Sequence, residues 1–240
     1  MTAPPSIRLP SDSQRLVVVG RPGSGKTQEM LHHISQRSFT EMPWIMIDFK
    51  GDDLVSALPV SAEVSIHDRP PSEPGLYVAK ARIEDHDKDG PLSDYFMRIF
   101  DQGSTGCLID EGLMVGQRNQ GLRMLLTQGR SRLCPVVTGT QMPFNIDTTI
   151  FATAEFIQVF YIQHPEHQKR ISQYVPPHIL NFDTLRDAGL HHSVWYDVIA
   201  DQGVLLRPCP EFARIADRVL TRLPVIEDPP PEMAPRRVRL

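Results

Sequence analysis

The chain has 240 residues, 40% of them hydrophobic, and a formal net charge of −4. That length and apolar content suit one α/β domain with a sizeable core, and no apolar run approaches the about 18 residues of a membrane span. The charge argues against a protein that coats nucleic acid through a global basic surface. Three scattered cysteines, Cys107, Cys134 and Cys209, argue against a disulfide framework or a zinc site.

Residues 1–13 read as a loose, Pro-rich leader without a secretory signal. Leu16–Val19 reads as a buried parallel strand, and Gln28–Ile34 as a helix. Trp44–Ile47 is the next strand, followed by short strand candidates at Val64–Ile66 and Leu76–Ala79. Glu84–Gly90 is a charged loop, and Leu92–Phe100 has helical spacing. Cys107–Ile109 is a buried strand, and a helix is expected from about Arg118 to Arg130. Pro135–Thr140 and Phe156–Ile162 are strands, and Pro165–Tyr174 is a charged helix. Ser193–Val198 and Val204–Arg207 flank Asp201-Gln202-Gly203, which predicts a C-terminal β-hairpin turning on those three residues. Phe212–Leu220 is a last helix, and residues 223–240 form a Pro-rich basic tail with Arg236, Arg237 and Arg239. Strands alternating with helices predict one domain over residues 14–222, with a mostly parallel sheet covered on both faces.

Gly20-Arg21-Pro22-Gly23-Ser24-Gly25-Lys26-Thr27 fits the phosphate-binding pattern G-x-x-x-x-G-K-[ST], between a strand and a helix. Glycines let successive backbone N–H groups turn inward onto phosphate oxygens, and the helix N-terminus adds partial positive charge. Residues Gly20 to Gln28 are therefore expected to bind ATP, with Lys26 on the outer phosphates and Thr27 on Mg2+. The strand Cys107–Ile109 ends in Asp110 and Glu111. Asp110 is expected to hold Mg2+ beside Thr27, and Glu111 to polarise the attacking water. Gln141, at the tip of the following strand, is placed to sense the γ-phosphate or the lytic water. Arg130, Arg132 and Arg123 are candidates for a cation supplied in trans, with Arg130 the chosen one. His32-His33 and His191-His192 lack companions at metal spacing and read as structural.

These signals, in this order, resemble the FtsK/HerA superfamily of P-loop ATPases. Trp44 to Leu54, with Asp48-Phe49-Lys50-Gly51, looks like that superfamily's strand followed by Asp-x-Lys-Gly. Gly129-Arg130-Ser131-Arg132 to Thr140-Gln141-Met142-Pro143 looks like its glycine-arginine turn, strand and Thr-Gln-x-Pro end, with Met142 where many members carry arginine. The likeness covers about residues 15–145 and points to the compact genome-packaging ATPases of tectivirus-like, membrane-containing bacteriophages. It implies a three-layer, RecA-like P-loop NTPase fold of the additional-strand catalytic-Glu type. It also implies a homo-oligomeric, hexameric ring that moves double-stranded DNA at a capsid vertex, in the host cytoplasm or on the virion, beside capsid or viral membrane proteins. Arg118, Lys169 and Arg170 are candidates for DNA backbone contacts. The alternatives are a conjugation or filamentous-phage assembly ATPase of the zonula-occludens-toxin type, and a nucleotide or small-metabolite kinase.

Overall fold

In the first strand, β1 (Arg15–Val19), successive side chains face opposite sides of the sheet. Both sides are apolar: Val17 and Val19 enter one core, Leu16 and Val18 the other. Such a strand needs cover on both faces. A computed structural model, describing residues 7–82, 85 and 89–224, shows that cover. Six strands run parallel to β1: β2 (Pro43–Asp48), β3 (Ala62–Ser65), β4 (Gly75–Lys80), β5 (Gly106–Ile109), β6 (Val136–Thr140) and β7 (Phe156–Phe160). The hairpin β8 (Ser193–Asp197) and β9 (Gln202–Leu206) extends the sheet antiparallel to β7, and the order is β3-β4-β2-β5-β6-β1-β7-β8-β9.

The helices α1 (Lys26–Ile34) and α2 (Asp53–Ser56) lie on the Leu16 side. On the Val17 side lie α3 (Pro91–Gln102), α4 (Gln120–Gln128), α5 (Thr148–Ala152), α6 (Pro165–Ile171) and α7 (Phe182–Ala188). The last helix, α8 (Phe212–Leu220), returns to the Leu16 side through Ile215 and Val219. The result is the expected three-layer α/β fold. β6 intervenes between β1 and β5, which is the additional strand of the expected class.

Several local expectations shift. The hairpin turns on residues 198–201, not on Asp201-Gln202-Gly203, because Gln202 and Gly203 already pair with Asp197 and Tyr196. Asp197 builds that turn by accepting N–H bonds from Ile199 and Ala200, each 3.0 Å long. The helix expected from Arg118 starts later, since Asn119 caps it by accepting from Leu122 N at 2.9 Å. The helix from Pro165 ends at Ile171. α2, α5 and α7 were not expected; each is short and capped by Asp52, Asp147 or Asn181, a local signal that apolar periodicity does not register. Of the leader, residues 7–13 are described and lie on the domain: Arg8 donates to Asp197 at 2.6 and 2.7 Å and stacks on Phe156. Residues 1–6, much of the 84–90 loop and the tail from 225 lie outside the described residues.

Among the described residues no helix is long and apolar enough to cross a membrane. A buried polar relay ties α1 to the sheet. His33 Nε2 meets Gln158 Oε1 at 2.6 Å, and Gln158 Nε2 donates to Ser193 Oγ at 2.8 Å. The His33 ring also packs 5.2 Å from that of Trp195. Gln158 spends its amide N–H on Ser193, so its oxygen accepts and His33 Nε2 carries the proton.

Burial pushes His33 down to about 4, against the ordinary 6.5. The unfolded chain therefore takes up a proton that the native chain refuses. This stability is complete above about pH 6.5 and is lost as pH falls to about 4, by up to about 3 kcal/mol. Neighbouring Glu29 is pushed up by burial, so its contribution has the opposite sign and fades as pH rises. Thermal melts from pH 7 to 4 will show a steeper loss in the wild type than in His33→Gln; equal slopes would remove His33 from the account.

Candidate active site

Because β1, β5 and β6 are parallel, their C-terminal ends open onto one edge, where such sheets bind ligands. Gly20 to Gly25 leave β1 there. Gly20 N donates to Thr140 O at 3.2 Å, which ties the start of the loop to β6. Gly25 has φ +89° at the head of α1, a left-handed turn that glycine adopts without strain. The loop, Lys50, Asp52, Leu54 and Gln141 line an open cleft of ≈ 510 Å³.

Asp110 and Glu111 reach this edge on β5. Thr27 Oγ1 donates to Asp110 Oδ1 at 3.1 Å, across 83 positions of sequence. Gly139 of β6 makes room for that approach: a Cβ there would lie 2.4 Å from Met30 Sδ and 2.6 Å from the Asp110 carbonyl. Both Glu111 oxygens are engaged. Gln141 N donates to Oε1 at 3.2 Å, and Lys50 Nζ donates to Oε2 at 3.2 Å. Lys50 also lies 3.9 Å from Asp110 Oδ2.

Lys26, Asp110 and Glu111 are buried. Burial pushes the Lys26 ammonium below its ordinary range, opposed first by Asp110 and then by Glu111. Burial likewise pushes the Asp110 carboxyl up, opposed by Lys26, Lys50 and the Thr27 bond. Two lysines and two carboxylates held this close, with Lys26, Asp110 and Glu111 buried, give the cleft a fixed pattern of charge.

No protein-family model matches the chain. It is 32% identical over 225 residues to the DNA packaging ATPase P9 of Enterobacteria phage PRD1, covering 90% of this chain and 95% of that protein. The chain belongs to the FtsK/HerA P-loop ATPases, among the genome-packaging ATPases of tectivirus-like phages. It is therefore a nucleotide-binding ATPase. Solved structures share the fold. The genome packaging NTPase B204 of Sulfolobus turreted icosahedral virus 2, with AMPPCP, has a TM-score of 0.67 at 19% identity and covers 84% of this chain and all of its own. The pCW3 conjugation coupling protein TcpA has a TM-score of 0.58 at 13% identity, covering 87% of this chain and 64% of its own.

In this ATPase the fold gathers Lys26, Thr27, Asp110, Glu111 and Gln141 at one edge. It does not bring Arg130 to them. Arg130 lies in a 3-10 turn, Gly129–Arg132, before β6, with Nη1 4.0 Å from Glu155 Oε1. Glu155 also accepts from Arg15 N, at the start of β1. The five residues of β1 put about 16 Å between that end and the loop, beyond the reach of Arg130 in its own subunit. Arg132 stacks on Phe100. Arg123 pairs with Asp147 at 2.9 Å, and Arg118 donates its backbone N–H to the same carboxylate. Burial works to raise Asp147, but these bonds and those from Thr149 hold it at about 2. Lys169 is exposed, while Arg170 stacks on Tyr174.

Three residues at the site were not among the site residues expected from the sequence, where His191 read as structural. Lys50 appeared only inside a motif, although a cation just past a strand edge is a readable signal. Asp48 ends β2, and its Oδ1 accepts from Lys50 N, Gly51 N and Asp52 N at 3.1, 2.9 and 3.4 Å, which seats the Lys50 loop. His191 touches the phosphate loop itself, its Nδ1 2.9 Å from Ser24 O. Asp48→Ala strips three N–H groups of their acceptor and will cost about 2–3 kcal/mol. It will lower both Tm and kcat/KM for ATP. A variant with wild-type turnover would mean the Lys50 loop holds its shape without Asp48.

Proposed function

We propose that this chain uses ATP hydrolysis to drive double-stranded DNA into a viral capsid. The observation that carries the reading is the meeting of the phosphate loop with the paired acids at Thr27 and Asp110. The likeness to a phage DNA packaging ATPase along nearly the whole chain supports the DNA substrate.

In this reading the backbone N–H groups of residues 20–28 cradle the phosphates and Lys26 neutralises them. The Thr27 hydroxyl and the Asp110 carboxylate are hard oxygen donors that suit Mg2+, which when bound draws charge from the outer phosphates. Glu111 accepts the proton of the attacking water, and Gln141 orients that water from the tip of β6. Lys50 leaves Glu111 for the more highly charged γ-phosphate. The adenine lies in a pocket of ≈ 220 Å³ formed by Gly25, Gln28, Phe160, His191, Pro208 and Cys209 together with the acids Glu29 and Glu211, which shares Gly25 and Gln28 with the phosphate cleft. Phe160 and Pro208 give it apolar wall for a flat base, and the polar side chains offer hydrogen-bond partners at its edge.

Arg130 completes the neighbouring site in a hexameric ring. Its side chain is 61% exposed, and a guanidinium arriving from another subunit stabilises charge on the γ-phosphoryl oxygens. Arg118, Lys169 and Arg170 grip the DNA backbone without reading its sequence. The ring works at a capsid vertex, in the host cytoplasm or on the virion.

Glu111→Gln will keep ATP-analogue binding and lower kcat at least about a hundredfold. Lys26→Ala will lose the binding, and duplex DNA will raise the wild-type rate. Wild-type turnover in Glu111→Gln would strip Glu111 of its role. A rate indifferent to duplex DNA but raised by a small-molecule acceptor would point to a kinase.

A further inference from the structure

The segment Gly189 to His192 joins α7 to β8 and runs beside the phosphate loop. His191 lines the two small pockets that flank the loop. Its Nδ1 lies 2.9 Å from Ser24 O across 167 positions of sequence. A carbonyl oxygen only accepts, so Nδ1 is the protonated nitrogen. The contact is tight: a Cβ on Gly25 would sit 2.9 Å from that same atom. His191 itself has φ +65°, an uncommon conformation in which Asn, Asp and His are the enriched side chains.

We propose that His191 is a positioning residue for nucleotide binding, its ring latching the Ser24 carbonyl so that the Gly25 N–H faces the phosphates. In a planar trans peptide the C=O and N–H point in opposite directions. Holding the Ser24 carbonyl on the His191 side therefore turns the next N–H away from His191 and into the cleft. Gly25 serves two ends at once: it takes the left-handed turn, and it leaves room for the ring. The latch also ties the start of β8 to the loop, so a change in the loop on nucleotide binding is felt by the hairpin. The inference rests on the reading of residues 20–28 as the phosphate site.

The latch acts on the bound phosphates in ground state and transition state alike, so its loss falls on KM rather than kcat. His191→Ala will raise KM for ATP about tenfold, with the loss in kcat/KM carried by KM, and will weaken competition by inorganic tripolyphosphate to the same degree. His191→Asn will recover most of the affinity, because its amide nitrogen stands where Nδ1 does and Asn accepts a left-handed backbone. His191→Gln, whose amide nitrogen stands nearer the Nε2 position, will not. If the Ala variant does not fold, the Asn and Gln pair decides. Wild-type KM in His191→Ala, a loss confined to kcat, or equal behaviour of Asn and Gln overturns the latch. Lys26→Ala separates the two levels. If it still binds tripolyphosphate, the phosphate-site reading itself fails. If it loses tripolyphosphate while His191→Ala does not, only the latch fails.

Discussion

The hydrogen bond from Thr27 to Asp110, 3.1 Å long across 83 positions, exists only because three parallel strands end at the same edge. β6 sets the separation. It lies between β1 and β5, holds the first residue of the loop through the Thr140 carbonyl, and offers Gly139 where Asp110 and Met30 crowd in. A larger residue at that position would push the acids away from the loop. The chemistry of the site therefore depends on strand order and on one missing side chain as much as on the charged groups themselves.

The same arrangement explains why so many charges tolerate burial. Lys26, Asp110 and Glu111 are each nearly closed to solvent, and each has an opposite charge or a hydroxyl within reach. Isolated, any of them would carry a heavy desolvation cost. Together they form a cleft whose charges are already oriented before a ligand arrives, which is what transition-state stabilisation requires. Asp48 extends this order one layer out, fixing the backbone from which Lys50 reaches Glu111.

Elements far along the chain complete the site. α8 packs on the α1 side, Gln28 donates to the Pro210 carbonyl at 2.8 Å, and His191 meets Ser24. Through these contacts the phosphate loop is braced by a segment that follows the parallel strands. Arg130 stands at the opposite end of the sheet from the glycine loop, so any part it plays at that loop needs a second subunit.

The parallel strands, the phosphate loop and the acid pair were legible in the sequence because each rests on local chemistry. β-branched runs such as Leu16–Val19 favour extended, doubly covered backbone. The glycines and Lys26 sit within eight residues, and Asp110 and Glu111 end a strand directly. The short helices and the true hairpin turn were not legible, since single caps at Asp52, Asp147 and Asn181 and a side-chain turn at Asp197 outweigh apolar spacing there. Only the tertiary structure decided that Lys50 meets Glu111, that His191 meets Ser24 and that Arg130 does not reach its own loop. Such contacts follow from strand order and helix packing, which are set by the burial of the whole chain, and no spacing within a few residues encodes them.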